Sequence, residues 1–224
     1  VKLSEFADVR PSGIIAMNLE PGDELGWARA TRGGQEFLVV TAGGRALRFS
    51  ENEVRAMGRT AAGVMGIRLN DDDVVKAFDV VEPEGHLLII TERGYGKRTP
   101  LDQFTPHSRN TQGMWALAHD RLEETGRVVA ARVVQECDQV TIITSGGLIL
   151  RTTCKDIRLM ARMTKGVRIV NPSNGDAVAA MARLAPQVEE EAAAAPEAQP
   201  APVAAVAVEP AGEVEDSAVV DAEG

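Results

Sequence analysis

The chain has 224 residues, of which 44% are hydrophobic and only 4% aromatic, so its length suits one domain, or an array of small units, with a mainly aliphatic core. No apolar run approaches the roughly 20 residues that a membrane span needs. The 24 Lys+Arg and 33 Asp+Glu give a net charge of −9, yet 10 of the acidic residues and none of the basic ones fall in residues 185–224, so the body of the chain is near neutral.

A repeat runs through residues 1–184. Glycine followed by apolar residues recurs with spacings of 50, 50 and 53. A second pattern keeps the same period: a β-branched run ends in Thr, a turn glycine follows three residues later, and a basic residue lies four places beyond the glycine. Three markers in one register indicate a repeated folding unit. The repeat glycines are Gly13, Gly63, Gly113 and Gly166; the turn glycines are Gly44, Gly94 and Gly147.

Each unit is predicted to contain four short strands. In the second unit these are Gly63–Leu69, Val74–Val81, Leu87–Glu92 and a short run near Gly96–Thr99. The runs are rich in Val and Ile and are separated by Gly, Asp and Asn, as is typical of strands and turns. Four-stranded units that repeat every 40–50 residues predict an all-β, propeller-like array of blades, in which stacking buries the sheet faces.

The ends of the repeat region set the expected domain organisation. Phe6, Val54, Phe104 and Ile157 are equivalent, so Val1–Phe6 looks like the end of a unit that begins upstream. We expect about three and a half blades in residues 1–184, as part of a longer protein. Residues 185–224 are predicted to be a disordered acidic tail, either a solvating segment or a competitor for a basic surface.

Basic residues are concentrated in one segment of each unit. Arg45–Arg68, Arg93–Arg109 and Arg151–Arg168 together hold 15 basic and 4 acidic residues, while the acidic residues gather after each repeat glycine. Stacked units would align these segments as a basic stripe suited to a polyanion, and arginine suits phosphate oxygens. The predicted DNA-binding residues are Arg48, Arg55, Arg59, Lys97, Arg98, Arg109, Arg151, Arg158, Arg162 and Lys165.

Two other readings of the same residues remain open. Arg48, Arg98 and Arg151 follow a hairpin and could instead pair with acidic residues of the next blade. The array could also be a platform for a protein partner, which would bind DNA weakly, or a propeller enzyme with a central site. The sequence shows no catalytic or metal-ligating constellation, and Cys137 and Cys154 suit core positions in a reducing, cytoplasmic protein.

Several segments, in order, resemble the C-terminal domain of the A subunit of DNA gyrase and the closely similar domain of topoisomerase IV. They are Leu3–Phe6, Gly13–Ala16, Gly22–Leu25, Val54–Arg59, Gly63–Leu69, Gly94–Thr99 and Cys137–Gln139. The resemblance implies a β-pinwheel, whose blades exchange a strand with a neighbour, and duplex DNA wrapped without sequence specificity around its basic rim.

The resemblance also carries expectations about the parent enzyme. It implies a type IIA topoisomerase subunit that supports ATP-dependent negative supercoiling in the cytoplasm, at the nucleoid, within an A2B2 heterotetramer that includes the gyrase B protein. ATP and Mg²⁺ would be bound through that partner, and no cofactor is expected in this segment. The hallmark box Q-R-R-G-G-K-G is not found here, although Arg55–Gly63 and Arg158–Gly166 resemble degenerate forms of it. Topoisomerase IV therefore remains the alternative.

Overall fold

A computed structural model describes residues 1–184, and the predicted acidic tail lies outside the described residues. Short strands connected by tight turns account for most of the regular structure, as the sequence predicts. The eleven strands are β1 (Glu36–Thr41), β2 (Arg45–Ser50), β3 (Val75–Val80), β4 (His86–Thr91), β5 (Tyr95–Pro100), β6 (Met114–Trp115), β7 (Val128–Val134), β8 (Gln139–Thr144), β9 (Ile149–Thr153), β10 (Val167–Arg168) and β11 (Val178–Leu184). One four-residue helix, α1, covers Leu122–Thr125, and 3₁₀ turns cover Leu3–Phe6, Glu51–Glu53, Leu101–Gln103, His119–Arg121 and Cys154–Asp156.

The strands form three antiparallel sheets that draw on more than one repeat. Their strand orders are β3-β1-β2-β6, β10-β5-β4-β7 and β11-β8-β9. In the first sheet the hairpin β1–β2 is flanked by β3, from the following repeat, and by β6, from the repeat after that. The four strands of one repeat therefore do not form one sheet, whereas the exchange of strands that the resemblance implies is confirmed.

Each hairpin closes through the turn glycine that the repeat pattern identifies. The N–H of Gly44 donates to the carbonyl of Thr41 at 3.0 Å, and Gly94 and Gly147 repeat this bond to Thr91 and Thr144. All three glycines have φ between 78° and 88°, a left-handed conformation that glycine adopts without a steric penalty. The geometry of the turn therefore explains why Gly follows Thr at a fixed interval of three residues.

Two layers of aliphatic side chains hold the three sheets together. Side chains alternate between the faces of a strand, so β4 contributes Leu87 and Ile89 to the layer shared with the first sheet and Leu88 and Ile90 to the layer shared with the third. A third cluster, which includes Phe37, lies on the other face of the first sheet. The repeat therefore stacks as the sequence predicts.

The structure differs from the expected first strand of each unit. Residues 1–35 contain no strand, and Gly63–Leu69 makes only an isolated bridge between Ile67 and Thr111. The equivalent chain in the next two repeats forms β6 and β10, each paired with the outer strand of a hairpin two repeats earlier. Gly63–Leu69 has no such hairpin among the described residues, so it stays irregular and the half blade expected near Val1 is not a sheet.

Two of the acidic residues that follow repeat glycines also have a structural task. The carboxylate of Asp73 accepts a hydrogen bond from the N–H of Gly43 at 2.8 Å, and Asp176 does the same for Gly146 at 2.7 Å. Each carboxylate thereby caps the hairpin turn of the preceding repeat. A bond to the hydroxyl of Thr144, with the backbone bonds, lowers the pKa of Asp176.

Candidate nucleic-acid interface

Three equivalent arginines, Arg59, Arg109 and Arg162, lie in the loops that lead from the 3₁₀ turns to the repeat glycines. Their backbone N–H groups each donate to a side chain in the 3₁₀ turn of the preceding repeat. The acceptors are Glu5 at 3.4 Å, Glu53 at 2.9 Å and Gln103 at 3.1 Å. Each loop is therefore fastened to the one before it, and the three loops form a continuous edge, here called the loop edge.

The guanidinium groups of these arginines are held in the same way in all three repeats. Each Nη1 donates to the carbonyl two residues after the preceding repeat glycine: Ile15 at 2.5 Å, Met65 at 3.1 Å and Trp115 at 2.6 Å. Within residues 1–184, none of the three Nη2 atoms has a hydrogen-bond or ion-pair partner. Each side chain is thus half-buried and fixed in direction, with donors left over for an external acceptor.

The second equivalent set has an interior role in two of its three members. Arg98 is 4% exposed and donates to the carbonyls of Ile157 at 2.8 Å and Lys155 at 3.2 Å. Arg48 pairs with Glu36 and donates to the carbonyls of Leu101 and Phe104 at 2.8 and 3.3 Å. Both guanidinium groups fasten one repeat to the 3₁₀ turn of the next, so the sequence assignment to DNA contact is corrected for these two.

Arg151, the third member, differs because no further 3₁₀ turn follows it among the described residues. Its side chain is exposed and makes one hydrogen bond, to Gln139 at 2.7 Å. The alternative of pairing with acidic residues of the next blade is found for Arg98, which also pairs with Glu136 at 3.3 Å. Arg48 reaches the next repeat through carbonyl acceptors, because its acidic partner, Glu36, belongs to its own repeat.

The prediction that Lys97 contacts DNA is also corrected. Its side chain is fully buried, and Nζ donates to the carbonyls of Ala161, at 2.8 Å, and Arg162, and to Oγ1 of Thr164 at 3.2 Å. Burial, with the guanidinium of Arg162 nearby, lowers the pKa of Lys97 to about 7. The side chain has no surface with which to contact a ligand.

The remaining predicted residues are at the surface. Arg55 and Arg158 are exposed, and their side chains make no hydrogen bond within residues 1–184. Lys165 is partly exposed and forms an ion pair with Glu124, and that bond, chiefly, holds the pKa of the Glu124 carboxyl below its usual range. Six of the ten predicted residues thus lie on or beside the loop edge, five with donors available and Lys165 in an ion pair: Arg55, Arg59, Arg109, Arg158, Arg162 and Lys165.

A cation–aromatic pair lies where β6 and β10 each join their sheet, and the sequence analysis did not predict it. Arg45 lies 4.0 Å from the ring centroid of Trp115, and Arg168 lies 4.8 Å from that of Tyr95. The two pairs occupy the same register position, with cation and aromatic exchanged between the strands. The signal was in the sequence, because position 45 is equivalent to 95 and position 115 to 168, but it required the pairing of strands from separate repeats.

The described residues show neither a metal-binding cluster nor a helix suited to a bilayer. Within residues 1–184 no group of three or more His, Cys, Asp or Glu side chains could hold a metal ion, and no helix there is long and apolar enough to cross a membrane.

Comparisons with known proteins agree with this architecture. The family model described as "DNA gyrase C-terminal domain, beta-propeller" matches residues 1–31, 35–82, 85–135 and 138–185. The DNA gyrase A subunit of Salmonella typhimurium (strain LT2) is 41% identical over 189 residues, which are 84% of this chain and 21% of that protein. The corresponding protein of Mycobacterium tuberculosis (strain H37Rv) is 38% identical over 186 residues, which are 82% of this chain and 22% of that protein. The chain thus spans about a fifth of the length of these relatives.

Two solved structures share the fold. The C-terminal domain of DNA topoisomerase IV superposes with a TM-score of 0.76 at 26% identity, over 81% of this chain and 57% of that one. The DNA gyrase A C-terminal domain gives a TM-score of 0.71 at 24% identity, over 78% of this chain and 59% of that one. Because the segments matched by the family model cover most of residues 1–184, the chain belongs to the DNA gyrase C-terminal domain family of β-propellers.

Proposed function

We propose that the loop edge binds the backbone of duplex DNA without reading its sequence, and that successive blades wrap the duplex. The supporting observation is the threefold repetition of one arrangement: the arginine of each loop is held through Nη1 while Nη2 is free of partners within residues 1–184. Arginines fixed at equal steps along an edge present donors at regular intervals to phosphate oxygens, and a charge-assisted bond to phosphate is stronger than a neutral one.

Residues 1–184 offer little support for binding through a recognition helix or by stacking of single-stranded bases. The single α-helix of residues 1–184 has four residues, too few for a recognition helix in the major groove. Trp115 and Tyr95 stack with arginines of the same protein, so they are not a free platform for single-stranded bases. Contact with the phosphate backbone remains as the main source of affinity, and such affinity falls steeply as salt increases.

Wrapping follows from several contacts along a curved array. Bending a duplex of 20–30 base pairs by 40–90° costs on the order of 1–6 kcal/mol, so a bent path is stable only when the phosphate contacts of several blades offset that cost. In the proposed parent, a type IIA topoisomerase subunit, wrapping gives the captured duplex a crossing of defined hand for ATP-dependent negative supercoiling. A gyrase B protein as partner in an A2B2 heterotetramer, with ATP and Mg²⁺, and a cytoplasmic location at the nucleoid belong to the same proposal.

The alternative parent is topoisomerase IV, in which a similar domain serves decatenation. The fold is similar to the C-terminal domain of DNA topoisomerase IV, but the relatives of 38–41% identity are gyrase A subunits. Gyrase is therefore the favoured parent.

The test is a titration of two duplexes of unrelated sequence at two salt concentrations. We expect equal affinity for both duplexes and a steep loss at higher salt. Changing Arg59, Arg109 and Arg162 together to Ala should weaken binding by about 10²-fold, and each single change should lower the salt slope by about 0.9. Lys76→Ala removes an exposed charge on strand β3 and serves as the control that should leave the slope unchanged. Unaltered affinity of the triple variant, or preference for a polypeptide over DNA, would contradict the proposal.

A further inference from the structure

The buried lysine at position 97 departs from the repeat in which it lies. Lys97 is one of the largest fully buried side chains of residues 1–184. The equivalent positions in the first and third repeats are Leu47 and Leu150. A leucine completes the apolar layer at no electrostatic cost, whereas a buried ammonium loses its hydration and must recover it from hydrogen bonds within the protein.

All three acceptors of Lys97 belong to one loop, that of the third repeat. The carbonyls of Ala161 and Arg162 and the hydroxyl of Thr164 surround Nζ. The same loop carries Arg162 and Lys165 on the loop edge. The lysine of one blade therefore fixes the backbone from which the next blade presents its cations.

The loop of the second repeat provides an internal comparison. There Oγ1 of Thr111 donates to the carbonyl of Ser108 at 3.1 Å, as Thr164 does to Ala161 at 2.8 Å. Both loops thus share the same local turn, but the second has Leu47 beneath it and no buried cation. The bonds from Lys97 are an addition to a turn that forms without them.

The additional bonds have an electrostatic consequence at the surface. A carbonyl oxygen that accepts from a buried Nζ faces the interior, so its negative end is turned away from the side on which a phosphate would approach. The guanidinium of Arg162 is meanwhile held by the carbonyl of Trp115 at 2.6 Å. Two different groups therefore hold Arg162: Lys97 binds its carbonyl, and the carbonyl of Trp115 accepts from its guanidinium.

We propose that Lys97 is a positioning residue for DNA binding: from inside the second blade it orders the Ala161–Thr164 turn so that Arg162 and Lys165 face the DNA backbone. The inference rests on the proposed function, since it assigns a task to a residue that touches no DNA. It also makes the third loop more dependent on its neighbour than the second loop is.

A double-mutant cycle on duplex affinity separates positioning from a general structural effect. Lys97→Met keeps the length of the side chain and removes the donors. We expect it to weaken binding about fivefold and to lower the salt slope by about one phosphate contact. Combined with Arg162→Ala, it should add little, because both changes disable the same loop. Combined with Arg109→Ala, the matched change in the second loop, its effect should be additive.

The outcomes separate the two proposals. If the unchanged chain does not bind duplex DNA, the proposed function fails and this inference fails with it. If the unchanged chain binds but Lys97→Met does not weaken it, or couples equally to Arg109→Ala and Arg162→Ala, the positioning role is wrong and the proposed function stands. Lys97→Leu, which installs the residue of the other two repeats, is the second variant. Loss of folding in both variants would show a global role and would also overturn the inference.

Discussion

At the scale of single residues, Lys97 predicts how stability varies with pH. Its pKa is about 7 in the folded chain and about 10.4 when unfolded, so above pH 7 the unfolded state binds more protons. The free energy of unfolding should therefore rise with pH, by about 1 kcal/mol between pH 7 and 8. Urea denaturation at these pH values should show the rise in the unchanged chain and its absence in Lys97→Met.

The rise in stability is expected only up to about pH 8, because a buried thiol lowers the free energy of unfolding at higher pH. Burial raises the pKa of Cys154 to about 11, so stability is lost as pH rises past the ordinary thiol pKa of about 8.5. Parallel curves for the two proteins between pH 7 and 8 would contradict the assignment to Lys97.

The residue scale also marks the limit of what the sequence predicts about the site. Arg98 and Arg109 are both basic, both occupy a repeated position and both lie in a basic segment, yet one is buried and the other lies on the loop edge. Periodicity identifies equivalent positions but not the face on which they lie. That depends on which strand pairs with which, and the pairing here joins separate repeats.

At the scale of the elements, the bonds from one repeat to the 3₁₀ turn of the next give a second prediction. Arg98→Ala removes the bonds to the carbonyls of Ile157 and Lys155 and the ion pair with Glu136, and it leaves the buried carbonyl of Ile157 without this partner. Unfolding should therefore become easier by about 2–4 kcal/mol. Arg151→Ala is the equivalent change at an exposed side chain with one bond and should cost less than about 1 kcal/mol. Chemical denaturation measures both. Equal losses would show that the contact between repeats contributes nothing of its own.

A third prediction concerns the glycine that admits an exchanged strand. Gly113 has φ of 65°, and a Cβ there would lie 2.4 Å from the carbonyl oxygen of Ala46. Gly63 has φ of 83° but nothing within 4 Å of that position. Gly63→Ala should therefore cost only the left-handed conformation, about 1–2 kcal/mol, and Gly113→Ala clearly more. Thermal unfolding compares them, and equal costs would show that the close approach of β6 to β2 is unimportant.

These elements also show what local pattern predicts well. The three hairpins lie where a β-branched run, a turn glycine and a basic residue recur, because all three features act within about ten residues. Local pattern also identifies strands within one repeat, but it does not show that they are shared between different sheets. β3 is predicted as a strand from its own residues, but its partner β1 is set by packing between repeats, which no local pattern encodes.

At the scale of the whole molecule, opposite charges on one face set how much of the loop edge is available to DNA. Lys165 is held by Glu124. Glu124→Gln should release it, raise duplex affinity at low salt by up to about threefold and increase the salt slope by about 0.9. Glu123→Gln makes the same change of charge at an exposed neighbour that forms no ion pair within residues 1–184. If both variants bind equally well, only net charge matters and the ion pair does not restrain Lys165.

The exchange of strands has a consequence for how the protein is made. Arg45, at the start of β2, contacts chain 68 residues further on, so the outer side of the first sheet stays unpaired for several seconds after its hairpin emerges from the ribosome at about 5–20 residues per second. An unpaired edge is a template for the wrong partner. Each newly synthesised repeat therefore pairs with the exposed edge of a sheet made earlier. Until it does so, nascent polypeptides on crowded polysomes can pair with one another instead of completing the native sheet.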